Sequence, residues 1–226
     1  MIMIRLSKNK IFIFVLLFVL LFVLLIPVVR VDATMGNINS FIYSGDYFYG
    51  DYSGVNNIAQ CLRSKGISAE MTERPKSVYG LQQYFKYSES IYISTHGILN
   101  GGVLVLDGDD ISPTLMFKAS DVPKEMNCKL AYLSACYSAK TNTDTRKNLC
   151  SVLISNGYQA AVGYTDAVSN IVSKDFEREF YSNFSKGESM YSSLNRAKDY
   201  ITKNNLLGKT FVDTVQPFGN QGISLE

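Results

Sequence analysis

The sequence predicts an α/β fold, a three-layer α/β/α sandwich with a mostly parallel central sheet. Apolar runs of strand length alternate along the chain with segments of helical periodicity. No linker, repeat or low-complexity stretch divides residues 34–226, so this region is predicted to be one domain. Hydrophobic residues make up 46% and charged residues 19% of the chain, which is typical of globular proteins rather than disordered ones.

The first half of the domain is predicted to contain strands joined by amphipathic helices. In the first helix, Ile58, Cys61 and Leu62 share one face, and Gly66 provides a stop signal. The predicted elements are, in order, strand Phe41–Phe48, helix Ser53–Lys65, strand Ser68–Thr72, helix Ser77–Phe85, strand Ser90–Thr95, and a hairpin formed by Val103–Leu106 and the turn at residues 107–110.

The second half of the domain continues the alternation of strands and helices. Gly157 stops one helix, and Lys186 with Gly187 separates the next two. The predicted elements are strand Leu130–Ala135, helix Asn148–Asn156, strand Ala160–Tyr164, helices Ser169–Phe184 and Ser189–Asn205, and a late strand Thr210–Val215. Such alternation predicts parallel strands with helices on both faces of the sheet.

A hydrophobic leader precedes the domain. Residues 11–29 are an apolar run of nineteen residues, long enough as a helix to span about 28 Å of the roughly 30 Å hydrocarbon core. Basic residues precede this run, so we expect the amino terminus to stay in the cytoplasm and residues 34–226 to lie outside it. Residues 31–33 fit a cleavage site. Residues 1–33 are therefore predicted to be a signal peptide or a membrane anchor, and the protein to be secreted or membrane-anchored.

The charge distribution argues against a nucleic-acid partner. The net charge is +2, but residues 34–226 carry 18 basic and 19 acidic groups. Nucleic-acid binding requires a clustered basic face. The chain has one histidine, which excludes a metal site built from several histidines.

No cofactor is predicted, although the turn Asp107-Gly108-Asp109-Asp110 offers carboxylates that could bind calcium. This turn lacks the spacing of an EF-hand loop, and a solvated turn is the alternative interpretation. Cys61, Cys128 and Cys150 leave two possibilities open: two of them pair in an exported protein, or all three are buried and free.

Two predicted strands end in residues that carry chemistry. Strand Ser90–Thr95 runs into His96 and Gly97, and strand Leu130–Ala135 runs into Cys136. Because ligands bind at the carboxyl ends of parallel strands, we expect the histidine and this cysteine to meet at one edge of the sheet. A structural histidine and a buried cysteine are the alternative interpretation.

A histidine beside a cysteine can perform nucleophilic catalysis. The cysteine thiolate attacks a carbonyl, and the imidazole of His96 protonates the leaving amine. The N–H groups of Gly97 and Cys136 are the predicted donors to the tetrahedral oxyanion.

The segments Tyr92–Gly97 and Leu133–Ser138 resemble the two signature blocks of the caspase-like cysteine peptidases. The Leu-Ser-Ala-Cys form is most similar to the CHAT domain group, and the resemblance covers about residues 40–220. It implies an α/β/α sandwich, endopeptidase activity on a protein or peptide substrate, and a dyad of His96 as general acid/base and Cys136 as nucleophile, with Gly97 as an oxyanion donor.

This chain departs from the family pattern at the expected substrate pocket. Relatives that cut after basic residues often place an acid two positions before the nucleophile, where this chain has Ser134. Asp166, in the loop after the next strand, is a further candidate for lining the pocket. Two other functions stay open: a catalytically inactive exported binding module of the same fold, with a tyrosine-rich face around residues 43–52, and an acyl transferase or transpeptidase that uses the same nucleophile.

Overall fold

The structure, a computed structural model, describes residues 40–44, 53–72, 77–107, 115–124 and 128–225. These residues belong to a single compact unit, 37–226. The predicted leader, residues 1–33, lies outside the described residues, so its role stays a prediction. Among the residues that are described, no helix is long and apolar enough to cross a membrane.

Nine strands are formed by the described residues: β1 (Ser40–Ser44), β2 (Ala69–Thr72), β3 (Ser90–Ser94), β4 (His96–Gly97), β5 (Val103–Asp107), β6 (Leu115–Lys118), β7 (Cys128–Ser134), β8 (Tyr158–Tyr164) and β9 (Val215–Gly219). Six of them form the central sheet in the order β2–β1–β3–β7–β8–β9. All neighbours in this sheet are parallel except β8 and β9. The predicted, mostly parallel sheet is therefore confirmed.

The register between β3 and β7 brings the ends of these central strands together. The pairing runs from Ser90 opposite Leu130 to Ser94 opposite Ser134. Strand β7 is buried on both faces for most of its length, which explains why its sequence is a continuous apolar run instead of an alternating one. Both strands end at the same edge, and the chain leaves each of them toward a candidate catalytic residue.

A second, smaller sheet begins at His96. Strands β4, β5 and β6 pair antiparallel in that order, with His96 opposite Val105 and Gly97 opposite Leu104. The hairpin predicted from Val103–Leu106 is thus present, with β6 as its second arm. Its predicted turn lies almost entirely outside the described residues.

The helices cover both faces of the central sheet and complete the predicted three-layer sandwich. They are α1 (Ser53–Arg63), α2 (Val78–Tyr87), α3 (Leu149–Ser155), α4 (Asn170–Phe184), α5 (Met190–Asn204) and α6 (Gly208–Val212). Helices α1, α4, α5 and α6 share one apolar core with the sheet, and α2 and α3 share the other. Most predicted helix starts are N-cap residues, one position before the helix: Ser77, Asn148, Ser169 and Ser189.

The predicted late strand Thr210–Val215 is wrong. Residues Gly208–Val212 form helix α6, and β9 begins only at Val215. The β-forming residues of this segment misled the prediction, because tertiary packing overrides their propensity. The short helix inserts one aromatic ring into the core: Phe211 packs at centroid distances of 5.4 Å and 5.6 Å against Phe176 and Tyr164.

All four cysteines are free thiols. Of the two possibilities that the sequence left open, the structure has the one without a disulfide. Cys128 and Cys150 are buried, and the Cys128 thiol donates to the Phe85 carbonyl oxygen at 3.3 Å. Burial raises the pKa of Cys150 strongly and that of the half-buried Cys61 as well. Burial thus favours a structural role for these three thiols.

Candidate active site

The ends of β3 and β7 open into one cleft with a volume of about 180 Å³. His96 and Cys136, which the sequence predicted to meet, both line it. His96 is exposed and Cys136 is half-buried. The remaining lining residues are mostly small and polar: Ser94, Thr95, Ser134, Ala135, Val168, Asn170 and Ser173.

Gly97 lies directly against the main chain of Cys136. A Cβ atom at position 97 would overlap the Cys136 carbonyl oxygen and would lie 2.8 Å from its carbonyl carbon and 3.3 Å from its nitrogen. The Ile98 N–H donates to Val103, so the alternation of an antiparallel ladder leaves the Gly97 N–H outside the β4–β5 hydrogen bonds. Glycine thus permits a close approach of the histidine loop to the nucleophile loop.

The sulfur of Cys136 contacts a residue that sequence reasoning missed. The Val168 N–H donates to Cys136 Sγ at 3.4 Å, and the Val168 carbonyl oxygen lies 3.9 Å from the same sulfur. Val168 belongs to the loop between β8 and α4. A main-chain contact of this kind leaves no side-chain signature, so only the structure could reveal it.

The residue after the nucleophile, Tyr137, also joins the nucleophile loop to the β8–α4 loop. Tyr137 has a positive φ of 58°, a left-handed conformation uncommon for a residue other than glycine. Its N–H donates to the Asp166 carbonyl oxygen at 3.1 Å. This turn directs the chain away from β7 immediately after Cys136 and anchors it to the β8–α4 loop.

The structure separates the two predicted pocket residues. Ser134 is 7% exposed and lines the cleft, whereas Asp166 is exposed and is not among the lining residues. The Asp166 carboxylate accepts the Ala167 N–H at 2.7 Å. Partial desolvation, followed by the negative charge of Asp166, raises the pKa of Tyr137. Asp166 therefore lies beside the nucleophile loop, where its main chain contacts Tyr137, the residue after Cys136.

A buried carboxylate lies beneath the cleft. Glu177 of α4 is 1% exposed and accepts hydrogen bonds from the hydroxyls of Tyr92 at 2.5 Å and Tyr164 at 2.6 Å. The Tyr132 hydroxyl lies 3.0 Å from that of Tyr164. Burial, followed by the negative charge of Glu177, raises the pKa of Tyr92 and Tyr132 well above the usual value. We call these four residues, Glu177, Tyr92, Tyr132 and Tyr164, the Glu177 cluster.

Sequence reasoning missed the Glu177 cluster, although a signal was present. Glu177 follows the same helical periodicity as the buried Ser173, Phe176, Phe180 and Phe184, so it occupies the core-facing side of α4. An acid on an apolar helix face needs a buried hydrogen-bonding partner. The tyrosines of neighbouring strands are suitable partners for it.

A buried asparagine connects the loops that follow the two candidate catalytic residues. Asn142 Nδ2 donates to the Gly101 carbonyl oxygen at 2.7 Å and to Asn100 Oδ1 at 3.2 Å. Its Oδ1 accepts the N–H groups of Asp144 and Thr145 at 3.0 Å and 2.8 Å. One side chain thus fixes the loop after His96 against the loop after Cys136.

Within the part of the chain that the structure describes, no group of three or more His, Cys, Asp or Glu residues could hold a metal ion. The turn considered for calcium, residues 107–110, lies outside the described residues except for the main chain of Asp107. The prediction of no cofactor stays a prediction, and the alternative of calcium at this turn stays open with it.

Comparison with known proteins bears on the family and the fold. The profile of the CHAT domain family matches residues 53–207. The fold is similar to that of the Arg-specific cysteine proteinase gingipain R, with a TM-score of 0.63 and 13% identity over 84% of this chain and 48% of that one. It is also similar to the complex of Porphyromonas gingivalis RgpB pro- and mature domains, with a TM-score of 0.59 and 15% identity over 83% and 48% of the two chains. No curated protein matches by sequence.

The chain spans about half the length of these gingipain structures. At such low identity, the similarity shows that the folds agree. The structures share a caspase-like arrangement of helices around a mostly parallel sheet.

Proposed function

Because the chain belongs to the CHAT domain family and has a caspase-like fold, we propose that it is a cysteine endopeptidase with a dyad of His96 and Cys136. One observation carries this proposal: both residues line a single cleft at the paired ends of β3 and β7, with Gly97 packed against Cys136. The fold family supports a peptidase, and the residues at the cleft supply a nucleophile and a proton carrier.

The proposed reaction proceeds in two steps. His96 takes the proton of the Cys136 thiol as the sulfur attacks the carbonyl carbon of the substrate, and the resulting oxyanion accepts hydrogen bonds from the N–H groups of Gly97 and Cys136. His96 protonates the leaving amine as the carbon–nitrogen bond breaks, which leaves a thioester on Cys136. His96 then takes a proton from water as the water attacks the thioester, and it returns this proton to the Cys136 sulfur as the carbon–sulfur bond breaks and the acid product leaves.

The substrate of this reaction is a protein or peptide outside the cytoplasm. Export follows from the predicted leader, whether residues 11–29 are cleaved with a signal peptide or retained as an anchor. Ser134 in the cleft and Asp166 beside the nucleophile loop are the proposed pocket residues. Gingipain R is named for cutting at arginine, and the exposed carboxylate of Asp166 is a group here that attracts a basic residue.

A cleavage profile tests the proposal. The purified chain is incubated with a peptide library, and products are identified by mass spectrometry, with Cys136→Ala as the control. We expect cleavage by the wild-type chain and none by the variant. If wild-type protein binds peptides but cuts none, the alternative of an inactive exported binding module is correct. Products joined to an added amine would indicate a transpeptidase.

A further inference from the structure

The hydroxyl group of Ser138 lies between the carboxyl ends of β7 and β8. These strands pair in parallel as far as Tyr132 opposite Val162. In the same register, the next rung of a parallel ladder would join the Tyr164 N–H to the Leu133 carbonyl oxygen. Instead, the Tyr164 N–H donates to Ser138 Oγ at 3.0 Å, and this hydroxyl donates to the Leu133 carbonyl oxygen at 2.9 Å. One side chain therefore replaces a rung of the central sheet and separates the two strand ends.

The surroundings of Ser138 fit one small polar side chain. Ser138 is fully buried, and Gly163 of β8 leaves space for its hydroxyl, since a Cβ atom at position 163 would lie only 2.8 Å from Ser138 Oγ. A hydroxyl donates and accepts through the same atom, as this position requires. Alanine at position 138 would leave the buried Tyr164 N–H without its acceptor, which is unfavourable.

The same hydroxyl belongs to a turn, residues 135–140, that contains the candidate nucleophile. Five of the six N–H groups in this turn donate to main-chain carbonyl oxygens at distances of 2.9 Å to 3.2 Å: those of Ala135, Tyr137, Ser138, Ala139 and Lys140. Among the described residues, none accepts the Cys136 N–H. The turn therefore leaves free the one N–H that binds the oxyanion in the proposed reaction.

We propose that Ser138 is a positioning residue for the nucleophile, because its hydroxyl holds the turn in which the Cys136 N–H stays free to bind the oxyanion. This inference rests on the proposed peptidase function and adds a residue to that reaction. Ser138 is not among the residues that line the cleft, so it acts through the two strand ends that it separates. Strand β7 leads into Cys136, and β8 leads into the loop whose Val168 N–H contacts the Cys136 sulfur.

Ser138→Ala tests this role through two reactions of the same sulfur. Without the hydroxyl the strand ends can close into an ordinary rung, which moves the turn and displaces the Cys136 N–H. We expect kcat for a peptide substrate to decrease about thirtyfold to a hundredfold while KM stays within about threefold, because an oxyanion donor acts in the transition state. Iodoacetamide reacts with Cys136 by displacement of iodide and forms no oxyanion, so the alkylation rate should stay within about threefold of wild type.

Tyr158→Phe is the matched control, and Gly163→Ala is a second variant. The Tyr158 hydroxyl is buried at the opposite end of β8 and donates to the Phe85 carbonyl oxygen at 3.1 Å. Its removal should decrease thermal stability but leave kcat and the alkylation rate within about twofold of wild type. Gly163→Ala keeps the Ser138 hydroxyl but crowds it, so we expect the same separation of the two rates as in Ser138→Ala. Circular dichroism establishes which variants fold.

The possible outcomes separate this inference from the proposed function. If Ser138→Ala does not fold, Gly163→Ala decides the question by the same two rates. A folded Ser138→Ala variant with kcat close to wild type, or with equal decreases in kcat and in alkylation of Cys136, would overturn the inference and leave the peptidase function in place. Loss of folding in both variants would assign Ser138 to stability alone and would also overturn it. Absence of cleavage by the wild-type chain overturns both.

Discussion

The α-carbon of Gly97 lies against the carbonyl group of Cys136, with no space between them for a side chain. This contact joins the residue after the candidate general acid to the candidate nucleophile itself. It keeps the histidine loop close to the nucleophile loop, and in the proposed mechanism the Gly97 N–H is a donor to the oxyanion.

Gly97→Ala should therefore decrease kcat/KM by about a hundredfold or more, because the added methyl group displaces one loop from the other and removes an oxyanion donor. Gly80→Ala is the matched control. A Cβ there has an ordinary contact of 3.4 Å with Ser77 Oγ, and alanine favours the helix in which Gly80 lies. Activity that survives in Gly97→Ala would show that this contact has no catalytic role.

The proposed dyad should act as a unit. Cys136→Ala and His96→Ala should each abolish detectable peptide cleavage, and the double variant should be no worse than Cys136→Ala alone. Both side chains line the cleft and do not fill the core, so circular dichroism and thermal unfolding should be unchanged. A folded His96→Ala variant with nearly full turnover would remove His96 as the general acid. The chain has no second histidine to replace it.

The four free cysteines should differ in their reaction with iodoacetamide. Cys136 is half-buried at the cleft, whereas Cys128 and Cys150 are buried. Burial raises the pKa of Cys61 and Cys150, so the reactive thiolate of these two is disfavoured at neutral pH. Mass spectrometry after brief labelling of the folded protein should find Cys136 modified first. Equal labelling of all four in the folded protein would contradict these environments, and equal labelling in urea is the expected control.

The Glu177 cluster should make the fold sensitive to alkali. Burial raises the pKa of Tyr132 well above that of an unfolded tyrosine, about 10. A raised folded pKa leaves stability intact below about pH 10 and decreases it at higher pH, by about 1.4 kcal/mol per pH unit for each such tyrosine. Tyr132→Phe should therefore have a shallower decrease in unfolding free energy above pH 10 than the control Tyr79→Phe, because Tyr79 is 69% exposed. Urea unfolding at several pH values measures both slopes, and identical slopes would contradict the prediction.

Much of the fold was predictable from sequence because its strands and helices have distinct periodicities. The buried strands β3 and β7 are short apolar runs, and the helix starts at Ser77, Asn148 and Ser189 carry capping side chains that bond to the helix as expected. The prediction for Thr210–Val215 is wrong because local preference and tertiary packing disagree in this segment. Its local preference is for a strand, but the burial of Phe211 against other aromatic rings stabilises a helix.

Only those parts of the candidate site that are formed by side chains could be predicted from the sequence. His96 and Cys136 follow from their positions at strand ends, Ser134 follows from the resemblance to the caspase-like peptidases, and the structure places all three at one cleft. The Val168 contact to the nucleophile is made by a main-chain amide, which any residue except proline offers, so the sequence does not mark it. The Glu177 cluster depends on which strand tyrosines face α4, and this requires the register of the sheet.

The pairing of β3 with β7 has a consequence for when the protein can become active. His96 and Cys136 are separated by 40 residues, and the alignment of Ser94 with Ser134 brings their loops together. Contacts between residues far apart in the sequence cost loop-closure entropy before they add stability, so they form slowly. During synthesis, the growing chain has a histidine without a nucleophile until β7 has emerged. In the proposed peptidase, completion of the fold would therefore assemble the dyad, and the nascent chain and its neighbours would not be cut before that point.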